Sequence, residues 1–273
     1  MEKFKGKNVL ITGGASGIGR LMGAMALDKG AATLIIWDIN QENIDNTISE
    51  FSNKGKVIGH RVDVSNEQNV IDAAKTAKKE LGEIDIVINC AGIITSNKTF
   101  DRYESAEIHR TMNINAIAPM IVAQQFLPDM IKRNSGHICN ISSAGGLVAN
   151  PKMSVYAASK WAVIGWSDSV RIELEQMRSN VRITTVAPYY IKTGMFDGVQ
   201  SPIVPLMEPE YAARHIIKAI EKNKKMAVVT KLIPFPYHFV RLMQGILPTV
   251  PFDWLFGKVF GFYHSMDHFT GRK

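Results

Sequence analysis

The run Asn8-Val9-Leu10-Ile11-Thr12-Gly13-Gly14-Ala15-Ser16-Gly17-Ile18-Gly19 decides how this chain is read. Its first five residues are rich enough in apolar and β-branched side chains to form a strand. The remainder is small and glycine-rich, and a helical segment begins there. A strand, a glycine turn and a helix in that order let the backbone approach a pyrophosphate, whose charge is favoured at the positive helix end. Glycines also serve ordinary tight turns, so it is the position between first strand and first helix that gives the spacing its weight.

Working outward, short β-branched runs alternate with longer segments of helical period. Strands are predicted at 8–12, 32–37, 56–62, 84–90, 137–142, 182–187 and 226–230. Several, such as Leu34-Ile35-Ile36-Trp37, are continuously apolar, which suits strands covered by helices on both faces. Between them, residues 66–81 gather Val70, Ile71, Ala74, Ala77 and Leu81 near one helical face. The pattern predicts an α/β fold, a Rossmann-like doubly wound parallel sheet of about seven strands. We assign residues 1–231 to one dinucleotide-binding domain. Pro234, Pro236, Pro248 and Pro251 break regular structure beyond it, so 232–273 reads as a helical C-terminal appendage.

The chain has 273 residues and a net charge of +7, with 46% hydrophobic residues, a globular composition that excludes disorder and fibrous repeats. All of the excess charge lies in residues 214–273, which hold ten basic and three acidic side chains. Cys90 and Cys139 sit in apolar runs and read as small buried hydrophobes in a reducing compartment. No apolar stretch precedes Asn8, and no window of ~18 uninterrupted apolar residues occurs. We therefore expect a cytoplasmic protein that is not secreted and lacks an amino-terminal anchor. No metal site is read from the sequence.

Asp38 stands at the end of the second predicted strand, where a carboxylate accepts hydrogen bonds from both adenosine ribose hydroxyls. A 2′-phosphate would meet like charge there, and neither Ser16 nor Ile39 supplies a cation. NAD is expected over NADP. Farther along, Tyr156 and Lys160 lie four apart on one predicted helix, so both project from one face. A free tyrosine has a pKa near ~10, and a neighbouring ammonium favours its phenolate. The pair therefore reads as a proton donor with a tuner.

Taken together, Thr12 to Gly19, Asn89-Cys90-Ala91-Gly92, Asn113, Ser142-Ser143 and Tyr156 to Lys160 occur in an order and spacing that resembles the short-chain dehydrogenase/reductases, over about residues 5–230. The resemblance implies that Ser143 holds the substrate oxygen, Tyr156 moves the proton, Lys160 holds the nicotinamide ribose, and Asn113 anchors a water to Lys160, with Asn115 its unused neighbour. It implies cofactor contacts from Gly13, Ser16, Gly17, Ile18, Gly19, Asp38, Asp63, Val64, Asn89, Ala91, Gly92, Tyr156, Lys160, Pro188, Ile191 and Thr193. Tyr189 stands where the family usually has glycine, which puts the local backbone in question. The activity implied is hydride transfer coupled to acid/base catalysis.

Loops at the carboxyl ends of the strands should form the substrate pocket. They offer Ile94, Leu147, Met153, Tyr189, Met195 and Phe196 beside Ser143, an apolar lining that suits a lipophilic alcohol or ketone. The stretch 188–198, with Glu208 to Ala213, is similar to the retinol and 17-beta-hydroxysteroid dehydrogenases of the epidermal retinol dehydrogenase group, implying a retinoid, steroid or long-chain alcohol. Two alternatives remain: a ketone or 3-oxoacyl reductase, and a non-catalytic nucleotide-sensing or lipid-surface protein that keeps the fold. The resemblance also implies a homodimer or homotetramer.

Ten of the 23 aromatics fall in 232–273, among them Phe235, Phe239, Phe252, Trp254, Phe256, Phe260, Phe262 and Tyr263. Without a duplex-reading motif, no nucleic-acid partner is expected. The appendage is expected to cover the pocket, join subunits or touch a membrane surface.

Overall fold

In a computed structural model, residues 3–201, 205–229, 237–259 and 263–271 are described. The domain boundary expected at 231–232, and Phe235, Phe260 and Phe262 of the tail, lie outside them.

The apolar runs form seven parallel strands: β1 (Asn8–Thr12), β2 (Thr33–Asp38), β3 (Lys56–Arg61), β4 (Ile86–Asn89), β5 (His137–Ile141), β6 (Arg182–Pro188) and β7 (Met226–Val229). Their order in the sheet is β3-β2-β1-β4-β5-β6-β7. Each right-handed crossover carries a helix, as parallel pairing requires. Helices α1 (Gly17–Asp28), α2 (Gln41–Phe51) and α3 (Glu67–Leu81) follow the first three strands. After β4 come α4 (Ser105–Met112), a π-helical turn over Asn113–Ile117, and α5 (Ala118–Lys132). Then α6 (Ser154–Gln176) follows β5 and α7 (Pro209–Glu221) follows β6.

Strand side chains alternate between two covered faces, which is why the runs are apolar throughout. Val9, Ile11, Leu34 and Ile36 join Met22 of α1, Ile44 and Phe51 of α2 and Ile216 of α7 in one core. Leu10, Ile35 and Trp37 join Val70 of α3, Phe126 and Met130 of α5 and Leu174 of α6 in the other. The sheet winds both ways from β1 and β4, where Thr12 lies opposite Asn89. A cleft opens outside the carboxyl ends of the strands at such a switch point.

The tail continues as α8 (Tyr237–Ile246), α9 (Thr249–Asp253) and a π-helical stretch, Trp254–Val259. It packs back on the body: Phe252, Met243 and Leu247 meet Leu147, Val148 and Ile164, and Gln244 Nε2 donates to the Leu147 carbonyl at 2.6 Å. No helix among the described residues is long and apolar enough to cross a membrane.

Helix α2 rests on bare backbone. A Cβ on Gly59 of β3 would lie 2.2 Å from Ile44 Cγ2 and 2.9 Å from Ile48 Cδ1. Gly59→Val should therefore lower stability by about 1–3 kcal/mol, read as a lower urea midpoint at unchanged slope. An unshifted midpoint would mean that α2 is not seated on this strand.

Candidate active site

Thr12 closes the end of β1 against β4: its hydroxyl accepts from the Cys90 and Ala91 N–H groups at 3.1 and 3.2 Å. The chain then turns through Gly13 and Gly17, at φ 65° and 52°, conformations that disfavour any side chain. Gly19 is the tightest point, because a Cβ there would lie 2.1 Å from the Gly13 carbonyl oxygen. Helix α1 starts at Gly17 with Ser16 making no side-chain cap and no acidic residue in the first turn. Its first N–H groups and positive dipole end thus meet no competing anion from that turn. These residues fit a dinucleotide pyrophosphate.

Asp38 brackets the turn. Its two oxygens accept from the Ala15 and Asn40 N–H groups, each at 3.2 Å, so the carboxylate is held in place beside the glycines. Arg61, opposite Asp38 across β2 and β3, donates Nε to the Ile39 carbonyl at 3.3 Å. It places at the strand end a cation that sequence order hides, because Arg61 lies on a different strand.

Tyr156 and Lys160 project from the first turns of α6, and Ser143 caps the short 3-10 turn Ala144–Gly146 after β5. All three are buried. Lys160 Nζ donates to the Ile141 carbonyl at 3.0 Å and lies 5.7 Å from the centre of the Tyr156 ring. The Ser142 hydroxyl donates to the Lys160 carbonyl at 2.8 Å, tying helix to strand. Burial pushes the Tyr156 phenol up to about 12, against a Ser143 hydrogen bond that pulls it down. Burial brings Lys160 down to about 8, with the Cys90 sulfur opposing. The expectation that Lys160 lowers Tyr156 is thus not met by the side chains alone: desolvation of the phenolate outweighs an ammonium held on a backbone carbonyl. The group in place at neutral pH is the phenol.

The asparagine assignment is corrected. Asn115, not Asn113, stands by the lysine. Buried Asn115 accepts from Ile93 N–H at 2.8 Å and donates to the Ile93 carbonyl at 2.9 Å and to Ser159 Oγ at 3.2 Å. A Cβ on Gly92 would meet Asn115 Oδ1 and Lys160 Nζ, both at 3.4 Å, so the two groups flank the same glycine. Asn113 opens the π-helical turn, and neither asparagine lines the cleft itself. A widened turn changes which of two nearby side chains faces the sheet, and such turns recur at functional sites. Residue spacing on an ordinary helix does not reveal it.

The cleft, about 830 Å³ including its open mouth, brings together Gly13, Ser16, Gly17, Ile18, Gly19, Ala91, Gly92, Ser143, Tyr156, Lys160, Pro188, Ile191 and Thr193 with Tyr189, Met195 and Phe196. Cys90, Ile141 and Ser142 also line it, positions that a reading from side-chain chemistry passes over. Five predicted residues lie elsewhere. The Asn89 side chain turns into the core, donating to Asn140 Oδ1 at 2.8 Å. Asp63 accepts from Ser65 N–H at 2.9 Å as a turn cap, and Val64 packs on the α3–α5 core. Leu147 is fully covered by Ile164 and Phe252, so the apolar pattern that nominated it is explained by packing. Ile94 lines a neighbouring groove with Met195 and Phe269.

The substrate side is aromatic. Tyr189, Tyr190 and Phe196 meet edge to face at 4.7 and 5.0 Å, and Phe196 meets Tyr156 at 6.2 Å. Tyr189 does not take a left-handed backbone conformation, and its N–H donates to the Val229 carbonyl at 3.0 Å. The missing glycine therefore leaves the strand end ordinary. Segment 263–271 closes this side, with Met266 buried, its carbonyl accepting from Asn97 Nδ2 at 2.7 Å, and Lys152 paired with Asp267 at 2.7 Å.

The chain matches the family model for short chain dehydrogenases over residues 7–203. It is 35% identical to epidermal retinol dehydrogenase 2 of Mus musculus over the whole of this chain and 88% of that protein. It is 33% identical to estradiol 17-beta-dehydrogenase 11 of Pongo abelii over 90% and 81% of the two. Among solved structures, a short chain dehydrogenase/reductase from Burkholderia phymatum in complex with NAD superposes with a TM-score of 0.79 at 23% identity, covering 90% of this chain and 95% of that one. A metagenomic short-chain oxidoreductase in complex with NADP gives a TM-score of 0.71 at 24% identity, covering 83% and 98%. With its glycine turn, its Ser143, Tyr156 and Lys160 constellation and these relatives, the chain belongs to the short-chain dehydrogenase/reductase family of oxidoreductases.

Proposed function

We propose that the protein is an NAD-dependent dehydrogenase interconverting a lipophilic alcohol, of the retinoid, steroid or long-chain class, and its carbonyl. The observation that carries this reading is a buried Tyr156 with Ser143 and Lys160 on the wall of the glycine cleft, facing the aromatic side. The names of the relatives, retinol and estradiol dehydrogenases, agree with the apolar lining.

The glycine turn binds the pyrophosphate, Asp38 receives the adenosine ribose, and Lys160 and Thr193 hold the nicotinamide end. The bound nicotinamide supplies the hydride acceptor or donor. The protein's own chemistry is positioning and proton transfer. Ser143 orients the substrate oxygen, and its hydroxyl is itself fixed by the Gly145 N–H at 3.1 Å. In reduction the Tyr156 phenol gives its Oη proton to the substrate oxygen and becomes phenolate, and in oxidation it is the phenolate, which a positive charge beside it would favour, that takes the alcohol proton. Asn115 fixes the Ile93 backbone beside Lys160. The rings and the tail exclude water. Reduction of a ketone or 3-oxoacyl group is a second reading, consistent with Tyr156 holding its proton at neutral pH. The ratio of kcat/KM in the two directions separates them.

Tyr156→Phe should keep NADH binding, measured by fluorescence titration, and lose turnover by about 10²–10⁴-fold. Near wild-type activity would remove Tyr156 from the mechanism. Asn115→Ala should lower kcat by about tenfold or more, by loss of positioning, while Asn113→Ala stays within about twofold. The reverse order would return the role to Asn113.

Asp38 sets the cofactor. Asp38→Ser should raise kcat/KM with NADP relative to NAD by about tenfold or more, since each ~1.4 kcal/mol of repulsion removed is a factor of ten. An unchanged ratio would leave Asp38 as a brace for the turn.

We also propose that the tail meets an anionic membrane surface, where a lipophilic substrate would be found. Leu242, Ile246, Val250 and Trp254 are exposed on it, and the net positive charge of the chain lies in residues 214–273, the tail together with the α7–β7 segment that leads into it. The Val250→Glu, Trp254→Glu variant should float less with phosphatidylserine vesicles than wild type. Equal flotation, or none for either protein, ends this proposal.

A further inference from the structure

Beside the cleft lies a smaller space shared by the reacting residues Ser143 and Tyr156 and by Asn150, Met153 and Tyr190. Asn150 sits in the loop between β5 and α6 and is only 8% exposed. Its Nδ2 donates to Tyr190 Oη at 2.6 Å and lies 3.4 Å from Ser265 Oγ. The Tyr190 and Ser265 hydroxyls are themselves 3.1 Å apart. Yet Asn150 Oδ1, equally enclosed, has no hydrogen-bond partner. A buried acceptor left unmade is destabilising, so native proteins rarely leave one without a reason.

Turning the amide over does not remove the anomaly. Hydroxyls both donate and accept, so Tyr190 and Ser265 satisfy whichever amide atom faces them, and the other is left over. A hydroxyl group answers either case, because it donates and accepts, and a ligand entering this space can supply one where a water otherwise would. The rest of this space is apolar or belongs to the reacting residues.

We propose that Asn150 reads a second hydroxyl on the substrate, carried a few bonds from the carbon that reacts at Tyr156. This rests on the dehydrogenase reading and narrows its substrate class to lipophilic diols and hydroxy-ketones over mono-alcohols of the same skeleton. Ser265 makes the tail part of the subsite. It is pinned there by Gln200 N–H, which donates to the Ser265 carbonyl at 3.0 Å, and by the contacts of Met266 and Asp267, which follow it. Ser265 is a positioning residue in this arrangement, and Asn150 is the one that touches substrate.

The test compares a long-chain secondary alcohol with the same chain bearing a second hydroxyl a few carbons away. Wild type should favour the diol by about tenfold or more in kcat/KM, because a site built to bond a hydroxyl rejects the analogue that lacks it. Asn150→Leu should bring the kcat/KM values of the two substrates within about twofold of each other. Calorimetric titration with the diol should show the same loss of binding, a readout independent of turnover. Ser265→Ala leaves Asn150 in place but loosens it, and should reduce the preference; this variant decides the matter if Asn150→Leu does not fold. Equal kcat/KM for the two alcohols in wild type, or a preference that survives in Asn150→Leu or is unchanged in Ser265→Ala, means that a buried water satisfies the amide and overturns the subsite alone. Oxidation of neither alcohol overturns the subsite and the dehydrogenase reading together.

Discussion

A lysine ammonium buried at the end of a parallel sheet destabilises the fold unless several groups are arranged around it, and in this protein much of the site follows from that arrangement. Lys160 finds the Ile141 carbonyl at the tip of β5. That carbonyl is available because β5 ends there and the chain turns away into Ser142 and Ser143. The same turn brings the Ser142 hydroxyl to the carbonyl of Lys160 itself, so ammonium and helix are fixed by consecutive residues of one strand end. Gly92 lies against both groups, and a Cβ there would be in van der Waals contact with Asn115 Oδ1 and the ammonium, each at 3.4 Å.

The pKa values divide the labour between the two partners. Burial lowers Lys160 and raises Tyr156, each toward its neutral form. Lys160 therefore carries its charge below about pH 8 and loses it as pH rises through that value, while the Tyr156 phenol stays protonated at neutral pH. A buried pair of neutral-leaning groups is poised to respond to any charge brought beside it, since in low dielectric a nearby charge acts strongly.

Much of this was legible in the sequence, for identifiable reasons. The seven strands announce themselves because burial on both faces forbids polar alternation, and β1 falls on residues 8–12 as the pattern requires. The glycine turn was legible because the backbone itself makes the site: φ above zero at Gly13 and the 2.1 Å approach at Gly19 admit no other residue. Reading failed where three-dimensional placement outweighs spacing. Asn113 and Asn115 differ only through a π-helical turn, and Leu147 has the chemistry of a pocket residue but the neighbours of a core residue. The sign of the Tyr156 shift was missed because sequence shows the lysine four residues away and hides the burial that opposes it. Asn150, Tyr190 and Ser265 were invisible as a group, being separated by 40 and 75 positions along the chain.

The two sides of the cleft are built from different materials, and this has a consequence for how the protein varies. The cofactor side is backbone: glycines, strand-end carbonyls and the first turn of α1, whose geometry the sheet dictates. The substrate side is side chain, and its outer wall is the tail. Gly198, at φ 80°, shows how close that tail lies, because a Cβ there would be 1.9 Å from the His268 carbonyl oxygen. Changes in residues 263–271 therefore reach the substrate without passing through the sheet or the glycine turn.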